Sequence, residues 1–529
     1  MKLFIAEKPE LGRAIATALH GIESKAKGYI QKGDNIITWA FGHILELAEP
    51  HIYNEKYQKW VFEDLPIQID EFQYLPKKDS KEQLKVICSL INKKEIQSIV
   101  HCGDADDEGQ ILIDEILTYA NNKKPVFRVL INDITPKAIQ HQISGMRPNS
   151  DFKGMSERGF ARSQADWIVG INLTRAYTTI ARQKGYQDKT AISVGRVQTP
   201  ILGLIVARDK EYEGFTTKDY FSLHAYFHKD SKTFKAKHKT QEKIFDETIA
   251  QEILHACSNK SFICKVMQEN KKEYPPLPYN LLILQAECAK AFGYKPDKVL
   301  TITQSLREKH KLITYNRSDC QYLPETKFEE AKEIIEAVKE IFSDADSQIQ
   351  SLCKNTNLNI KSKAFNDKNL SAHYGIIPTT SSVPINNLST EERNIYEMIA
   401  KRFLVQFYEP REYLHTEVLF QYKEHEFVIS SNTTTKSGYI SFFGVSQEYQ
   451  QEQQEFTSQE NNENDLSCFH GISQILCKDI TIEKNQTKPR PYYTMPTLLK
   501  DLTSVAKYIS NERIKKLLLE RDKDKKVTQ

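Results

Sequence analysis

The nine cysteines of this 529-residue chain form no Cys-x-x-Cys pair. Their odd number and scatter (Cys88, Cys102, Cys257, Cys264, Cys288, Cys320, Cys353, Cys468 and Cys477) argue against zinc ribbons and a disulfide framework, and point to reduced thiols in a cytosolic protein. An excess of charge is missing too. The formal net charge is only +3, so no global field marks a nucleic-acid binder and any basic binding surface must be local. No apolar run is long enough to span a membrane, since the most apolar stretch, residues 191–207, is interrupted by Arg196 and Gln198. The opening Met1-Lys2-Leu3-Phe4-Ile5-Ala6 meets Glu7 too soon for a signal peptide, so a cytoplasmic location is expected. No internal repeat recurs. Gly28-Tyr29-Ile30-Gln31-Lys32-Gly33-Asp34-Asn35 has the glycine spacing of a P-loop, but Asp34 stands where the phosphate-binding Lys belongs and no Ser or Thr follows. A carboxylate there repels phosphate, so a turn between strands is expected and use of ATP is not.

What is present is ordinary in composition, 40% hydrophobic and 27% charged, and long enough for three or four domains. The apolar run 2–6 ends at Glu7-Lys8-Pro9 and precedes a helical stretch, 10–19. A second run, 96–102, leads into Gly103-Asp104-Ala105-Asp106 and a helix with Ile111, Leu112, Glu115, Ile116 and Tyr119 at helical spacing. Parallel α/β sheets place ligands at the carboxyl ends of their strands, so Glu7, Asp104 and Asp106 are expected at one edge of an α/β domain, residues 1–150. Residues 160–209 read as helical around a loop at 193–198, 215–270 as strands, 280–292 and 296–309 as helices, and 411–445 as strands again. The two β-rich stretches are expected to pair into one sheet, leaving residues 277–400 as an insertion on a hinge. In the helix expected at 390–408, the stripe Ile395, Met398, Ile399, Phe403, Leu404 and Phe407 reads as core. Residues 446–465, rich in Gln, Glu and Asn, read as a flexible loop.

The most informative string is Leu312-Ile313-Thr314-Tyr315-Asn316-Arg317-Ser318-Asp319. A phenol followed two residues later by a guanidinium suits attack on a phosphodiester, the phenol oxygen as nucleophile and the cation stabilising charge on the phosphate. The carboxylate string Asp104-Ala105-Asp106-Asp107-Glu108-Gly109 is of the kind that holds Mg²⁺ beside a reacting phosphate. With 25 tyrosines in the chain, one Tyr alone signifies little, and an acidic run is more often a helix start. The weight comes from agreement with further segments.

Those segments resemble the type IA DNA topoisomerases, most closely the bacterial topoisomerase III branch, over nearly the whole chain. Phe4-Ile5-Ala6-Glu7-Lys8-Pro9 looks like that branch's opening strand, Thr38-Trp39-Ala40-Phe41-Gly42-His43 like its next motif, and residues 103–110 like its Toprim acidic motif. Ala165-Asp166-Trp167-Ile168-Val169-Gly170-Ile171-Asn172-Leu173-Thr174-Arg175-Ala176 and the loop Ser193-Val194-Gly195-Arg196-Val197-Gln198 are similar to its DNA-gripping helices and loop. Residues 310–324 and 372–379 resemble its tyrosine and histidine segments. The resemblance implies a multi-domain toroid of four parts. These are a parallel α/β Toprim domain (1–150), a helical DNA-gripping domain (151–213 and 480–529), a β-rich hinge domain (214–276 and 401–479) and a tyrosine domain (277–400). It implies Mg²⁺ without ATP or zinc, and passage of one DNA strand through a transient break in another, in relaxation or decatenation.

By the same resemblance Tyr315 attacks phosphorus and keeps the 5′ phosphate, Arg317 holds the scissile phosphate, and Glu7 acts as general acid and touches the metal. Lys8 stabilises developing charge, Asp104, Asp106 and Glu108 position Mg²⁺ mainly through water, and His373 hydrogen-bonds near the phosphate. Arg162, Asn172, Arg175 and the loop from Ser193, Val194 and Gly195 through Arg196, Val197 and Gln198 contact single-stranded or underwound DNA, and Trp60 stacks on a base. Three departures stand out. Asp107 replaces the usual Arg of the Toprim motif, and Tyr374 replaces a second His or an acid. Relatives also continue beyond the C-terminal segment Tyr492-Tyr493-Thr494-Met495-Pro496-Thr497-Leu498-Leu499 with a Gly-rich stretch and further helices. The last departure leads to an expectation of weaker, salt-sensitive DNA grip, exposed apolar surface, and a complementing polypeptide. The alternatives are a single-strand-binding relative that cleaves poorly, or another Toprim enzyme such as a primase or nuclease, against which the Tyr315–Arg317 segment counts.

Overall fold

From Leu3 to Ala6 both faces of β1 (Lys2–Ala6) are buried, which is why that stretch is apolar throughout instead of alternating. It lies at the centre of a seven-stranded sheet with β2 (Glu23–Ala26), β3 (Tyr29–Lys32), β4 (Asn35–Trp39), β5 (Ser98–Cys102), β6 (Val126–Arg128) and β7 (Arg147–Pro148), in the order β2-β3-β4-β1-β5-β6-β7. The computed structural model describes residues 1–343, 347–370, 373–442, 465–502 and 505–518; the stretch read as a flexible loop lies outside them except for Asp465, as does the chain from 519 onward.

The four middle strands, β4-β1-β5-β6, are parallel, as expected, but the edges are antiparallel, so the sheet is mixed. The reason is local. Two-residue loops at Lys27-Gly28 and Gly33-Asp34 fold β2, β3 and β4 into consecutive hairpins, and both glycines take positive φ (+84° and +55°), as tight hairpin loops require. The P-loop-like glycines are thus turn residues. Alternate side chains of β1 face two cores: Leu3 and Ile5 pack with Ile87 of α2 (Lys81–Ile91) and Ile116 of α3 (Asp107–Tyr119), while Phe4 and Ala6 pack with Ile15 of α1 (Pro9–Ala18) and Ile139 of α4 (Pro136–Ser144).

Two long helices follow, α5 (Lys153–Gln183) and α6 (Gln198–Glu213). They leave Ile168, Leu173, Tyr177, Leu202 and Val206 exposed. The β-rich stretches then close into a six-stranded barrel of β8 (Asp219–Lys229), β9 (Lys232–His238), β10 (Ser261–Glu273), β11 (Arg411–Tyr422), β12 (His425–Lys436) and β13 (Ile472–Gln486), in the order β8-β9-β12-β11-β10-β13. Residues 215–270 are not strand throughout, however. Residues Glu247–Cys257 form a helix, α7, capped by the Asp246 carboxylate on the Thr248 N–H. Its buried Ala250, Ile253 and Cys257 fall on one helical face and share the barrel core with Phe227, Phe262 and Phe420.

The chain leaves the barrel at Glu273 and re-enters at Arg411, residues paired across the β10–β11 ladder and joined by an ion pair of 3.1 Å. Everything between is an insertion on two neighbouring strand ends. Its helices include α8 (Leu281–Phe292), α9 (Pro296–Glu308) and α10 (Thr390–Leu404), around a core containing Leu312, Ile313, Phe342, Tyr396 and Phe403. The stripe read as core on α10 is buried, apart from the partly buried Met398, and a capping box of Ser389 and Glu392 starts the helix. The chain returns through α11 (Met495–Leu502), which lies against α8 and buries Leu498 and Leu499. Arg208 of α6 holds this return, donating to the Pro491 carbonyl (3.1 Å), pairing with Asp501 (3.4 Å) and stacking on Tyr493.

The insertion also docks on the sheet unit, where Lys327 Nζ meets Asp133 Oδ2 at 3.1 Å with both residues buried. Removing one member of such a pair strands a charge away from water. Lys327→Ala should therefore lower stability by about 3–5 kcal/mol, read as a fall in the thermal midpoint, with part of the loss recovered on adding Asp133→Asn. An unchanged midpoint for Lys327→Ala would show that the junction is already loose.

Candidate active site

The neighbouring strands β1 and β5 are in register with Ala6 opposite Cys102, so the residues just past their ends emerge side by side. There the Asp104 N–H donates to Glu7 Oε2 at 2.9 Å. The turn carrying the acids is folded tightly onto the start of α3: a Cβ at Gly109 would stand 2.4 Å from the Asp104 carbonyl oxygen, which only glycine avoids. Asp106 caps α3, accepting the Gly109 N–H at 2.6 Å.

The tyrosine arrives from the insertion. Its segment is pinned to the histidine segment by the Thr314 N–H on the Ile377 carbonyl (3.0 Å) and the Ile377 N–H on Thr314 Oγ1 (3.0 Å). That pairing brings the His373 ring over the Tyr315 ring, centroids 4.8 Å apart and planes 22° from parallel. The Tyr315 hydroxyl donates to Asp106 Oδ2 at 2.8 Å, joining residues 209 positions apart. Tyr315 is 1% exposed. Burial, then the Asp104 and Asp106 carboxylates, push its phenol well above the ordinary tyrosine range, so it is fully protonated in this closed arrangement.

Sequence reasoning missed the cation that balances this cluster. Arg307, at the end of α9, is 3% exposed, places Nη2 3.4 Å from Asp104 Oδ1 and lies 4.6 Å above the Tyr315 ring. A signal was available: Thr303 and Arg307 fall one turn apart on the buried face of α9 beside Ile302 and Leu306, and an arginine there needs a counter-charge. Its neighbour Glu308 pairs with Lys8 at 3.5 Å. Burial raises the carboxyl of Asp104, but Arg307 and Lys8 outweigh it and hold the group below its ordinary value. Glu7 goes the other way, pushed up to about 7 by burial and the adjacent Asp104. Burial lowers the His373 imidazole.

The structure thus brings together Tyr315, His373, Glu7, Asp104 and Asp106, with Lys8 at the rim. Arg317 is half-buried and contributes positive potential at Asp104. Glu108 is exposed and faces outward to His43, 3.8 Å away, whose other ring nitrogen lies 3.2 Å from Glu115. Tyr374 is buried, its ring 5.9 Å from the Lys327 ammonium. Asp107 does not leave an uncompensated charge, because Arg158 and Arg162 of α5 pair with it.

The residues read as DNA contacts lie on α5, on the loop before α6 and on residues 57–67. Arg175 is buried, donates to the Tyr57 carbonyl at 2.7 Å and lies over the Trp60 ring; Asn172 brackets the backbone of Ile67, accepting its N–H at 2.6 Å and donating to its carbonyl at 3.1 Å. In the loop, Gln198 donates to Ser193 (2.8 Å), Val194 and Gly195 donate backbone N–H groups to Thr174 and Thr199, Arg196 pairs with Asp166 (2.5 Å), and Val197 is exposed. Arg175 and Asn172 hold protein backbone; Ser193, Arg196, Val197 and Gln198 face solvent.

For the metal the acids offer a partial fit. Asp104 Oδ2 is buried and takes no hydrogen bond from the described residues, which leaves a carboxylate oxygen available to a cation. Among the described residues no three His, Cys, Asp or Glu side chains gather closely enough to grip an ion directly. Such a donor set suits a hard cation that keeps much of its water, as Mg²⁺ does. No described helix is long and apolar enough to cross a membrane.

Comparison with known proteins agrees with the site. Residues 150–507 match the DNA topoisomerase family profile and residues 2–134 the Toprim domain profile. The chain is 36% identical to DNA topoisomerase 3 of Vibrio cholerae, over 98% of this chain and 81% of the relative. It is 36% identical to that of Haemophilus influenzae, over 99% and 81%. With the DNA topoisomerase 3 of Bacillus subtilis it shares 30% identity, over 96% and 68%. Full-length topoisomerase I from Thermotoga maritima shares the fold, with a TM-score of 0.63 at 22% identity over 95% of this chain and 75% of that one. Toprim sheet, buried tyrosine and sequence relatives agree: the chain belongs to the type IA DNA topoisomerases, a family of isomerases, on the branch of the DNA topoisomerase 3 proteins.

Proposed function

We propose that this chain cleaves one strand of single-stranded or underwound DNA by joining it to Tyr315, passes another strand through the gap and reseals the break, with Mg²⁺ and without ATP. The observation that carries this reading is the Tyr315 hydroxyl held against Asp106 at the meeting of the insertion and the Toprim sheet. In cleavage the phenol oxygen bonds to phosphorus as the bond from phosphorus to the 3′ oxygen breaks, leaving the 5′ phosphate on the protein. One phosphodiester is exchanged for another, so resealing requires no nucleotide. The phenol proton has an acceptor in Asp106, its hydrogen-bond partner. Glu7, with its carboxyl near 7, retains a proton to give to the departing 3′ oxygen. Lys8, Arg307 and Arg317 oppose the negative charge that builds on the phosphate, and His373 fixes the tyrosine ring.

Asp104 and Asp106, with Glu7 beside them and Glu108 further out, are the residues that would hold Mg²⁺. When bound, the ion supplies positive charge beside the reacting phosphate. Access is gated by the same contacts. The cleft lined by Lys8, Leu11, Asp104, Ile134, Arg307 and Glu308 has a volume of only about 10 Å³, too small for a nucleotide, so the insertion must withdraw before DNA reaches Tyr315. Relaxation of negative supercoils and decatenation use the same chemistry, and the choice between them depends on the DNA presented.

Tyr315→Phe should abolish strand cleavage while single-stranded DNA binding stays within about tenfold of wild type, since one hydroxyl contributes little to the grip. Denaturant trapping of wild type on an end-labelled oligonucleotide should leave protein on the 5′ end at the break; protein on the 3′ end, or cleavage by the Phe variant, would overturn the assignment. The double change Asp104→Ala with Asp106→Ala should remove Mg²⁺-dependent relaxation of supercoiled plasmid, and chelator should do the same to wild type. Full-rate relaxation in chelator would make the acidic cluster purely structural.

A further inference from the structure

Asp107 neither faces Tyr315 nor caps the helix; two arginines of α5 pair with it instead. Arg158 presents Nε and Nη2 to its two carboxylate oxygens at 3.2 and 2.8 Å, and Arg162 adds Nη2 at 3.3 Å. Two arginines one helical turn apart, gripping a pair of oxygens, use the donor pattern that fits the two non-bridging oxygens of a phosphodiester. The arginine side chains are 62% and 52% exposed whereas that of Asp107 is 15% exposed, so the cations face solvent and the carboxylate lies beneath them.

The position of this anion site is rigid. Gly159, adjacent to Arg158, lets α5 lie directly on α3: a Cβ there would stand 2.3 Å from Ile111 Cγ2 and 2.7 Å from the Asp107 carbonyl oxygen. The site is thereby fixed one residue from Asp106, which holds the nucleophile's hydroxyl. With both arginine heads in solvent, salt screens these pairs and a competing anion can approach the fork from outside.

We propose that Asp107 is an internal stand-in for a DNA phosphate: Arg158 and Arg162 form a phosphate site beside Tyr315 that the carboxylate fills when DNA is absent and that a backbone phosphate of the bound single strand takes over. This rests on the strand-cleaving function proposed above. The exchange replaces one anion with another and leaves Asp107 next to a phosphate of like sign. Asp107 therefore weakens single-strand binding and flattens its salt dependence, because arginines already neutralised within the protein release fewer counterions from DNA.

The test is binding of a fluorescent single-stranded oligonucleotide across a salt series. Asp107→Asn keeps the shape and removes the charge. It should tighten binding about three- to tenfold at low salt and steepen the plot of log K against log salt by about 0.7 for each additional phosphate that the arginines neutralise. Adding Arg158→Ala with Arg162→Ala should cancel both changes. If Asp107→Asn fails to fold, as judged by its thermal melt, Arg158→Gln with Arg162→Gln takes its place and should weaken binding and flatten the salt plot. Tight wild-type binding with an Asp107→Asn variant of unchanged affinity and slope overturns the inference, as does an arginine pair whose loss changes neither; Asp107 is then only a clamp between α3 and α5. Absence of single-strand binding by wild type itself overturns the proposed function instead, and this inference with it.

Discussion

A buried phenol beside buried carboxylates is tolerated here because Arg307 lies between them. Its guanidinium pairs with Asp104 and covers the Tyr315 ring, and without it Asp104 would lose its nearest counter-charge in a dry junction. Asp104 and Asp106 belong to the Toprim sheet, whereas Arg307 and Tyr315 belong to the insertion. The largest part of the charge balance is therefore achieved between the two units, with Lys8 contributing from the sheet side. The contacts that compose the site are the contacts that close it, so the separation proposed above would also dismantle the electrostatic arrangement around Tyr315.

The remainder of the architecture makes that meeting repeatable. Parallel strands deliver Glu7 and Asp104 to one edge, a glycine-tight turn fixes Asp106 at the head of α3, and ladder-like hydrogen bonds set His373 over Tyr315. At a distance from the chemistry, Lys327 and Asp133 supply a second charged contact across the same junction. Their burial makes docking specific, since a mismatched approach would leave either charge alone.

What could be read from the sequence divides along a physical line. The acid string, the strand end before Glu7 and the tyrosine segment are contiguous motifs that stand out in the sequence and lie together in the structure, and the pairing of the two β-rich stretches followed from their alternation. Arg307 escaped notice because its role depends on which helix face meets another part of the chain. The helix α7 was hidden for a similar reason. It is short, and its apolar positions serve a barrel core whose other residues come from strands far along the sequence. The turn expected between strands at the P-loop-like glycines is there, although the antiparallel pairing that it imposes on the sheet edge comes from hairpin geometry that the parallel strand pattern does not announce. Arg175 and Asn172 carry no sign in their sequence that they hold backbone. A polar side chain's destination is a property of the fold.

Glu273 and Arg411 are cross-strand neighbours, so both tethers of the insertion start from almost the same point on the barrel. Two attachments that close together form a single pivot, about which the insertion can swing while both tethers stay near their starting point. In the strand cleavage proposed above, with one broken DNA end joined to Tyr315, such a pivot would keep the effective concentration of the two ends for each other high throughout the opening. The barrel thus stores the return path, and a severed strand need not be searched for.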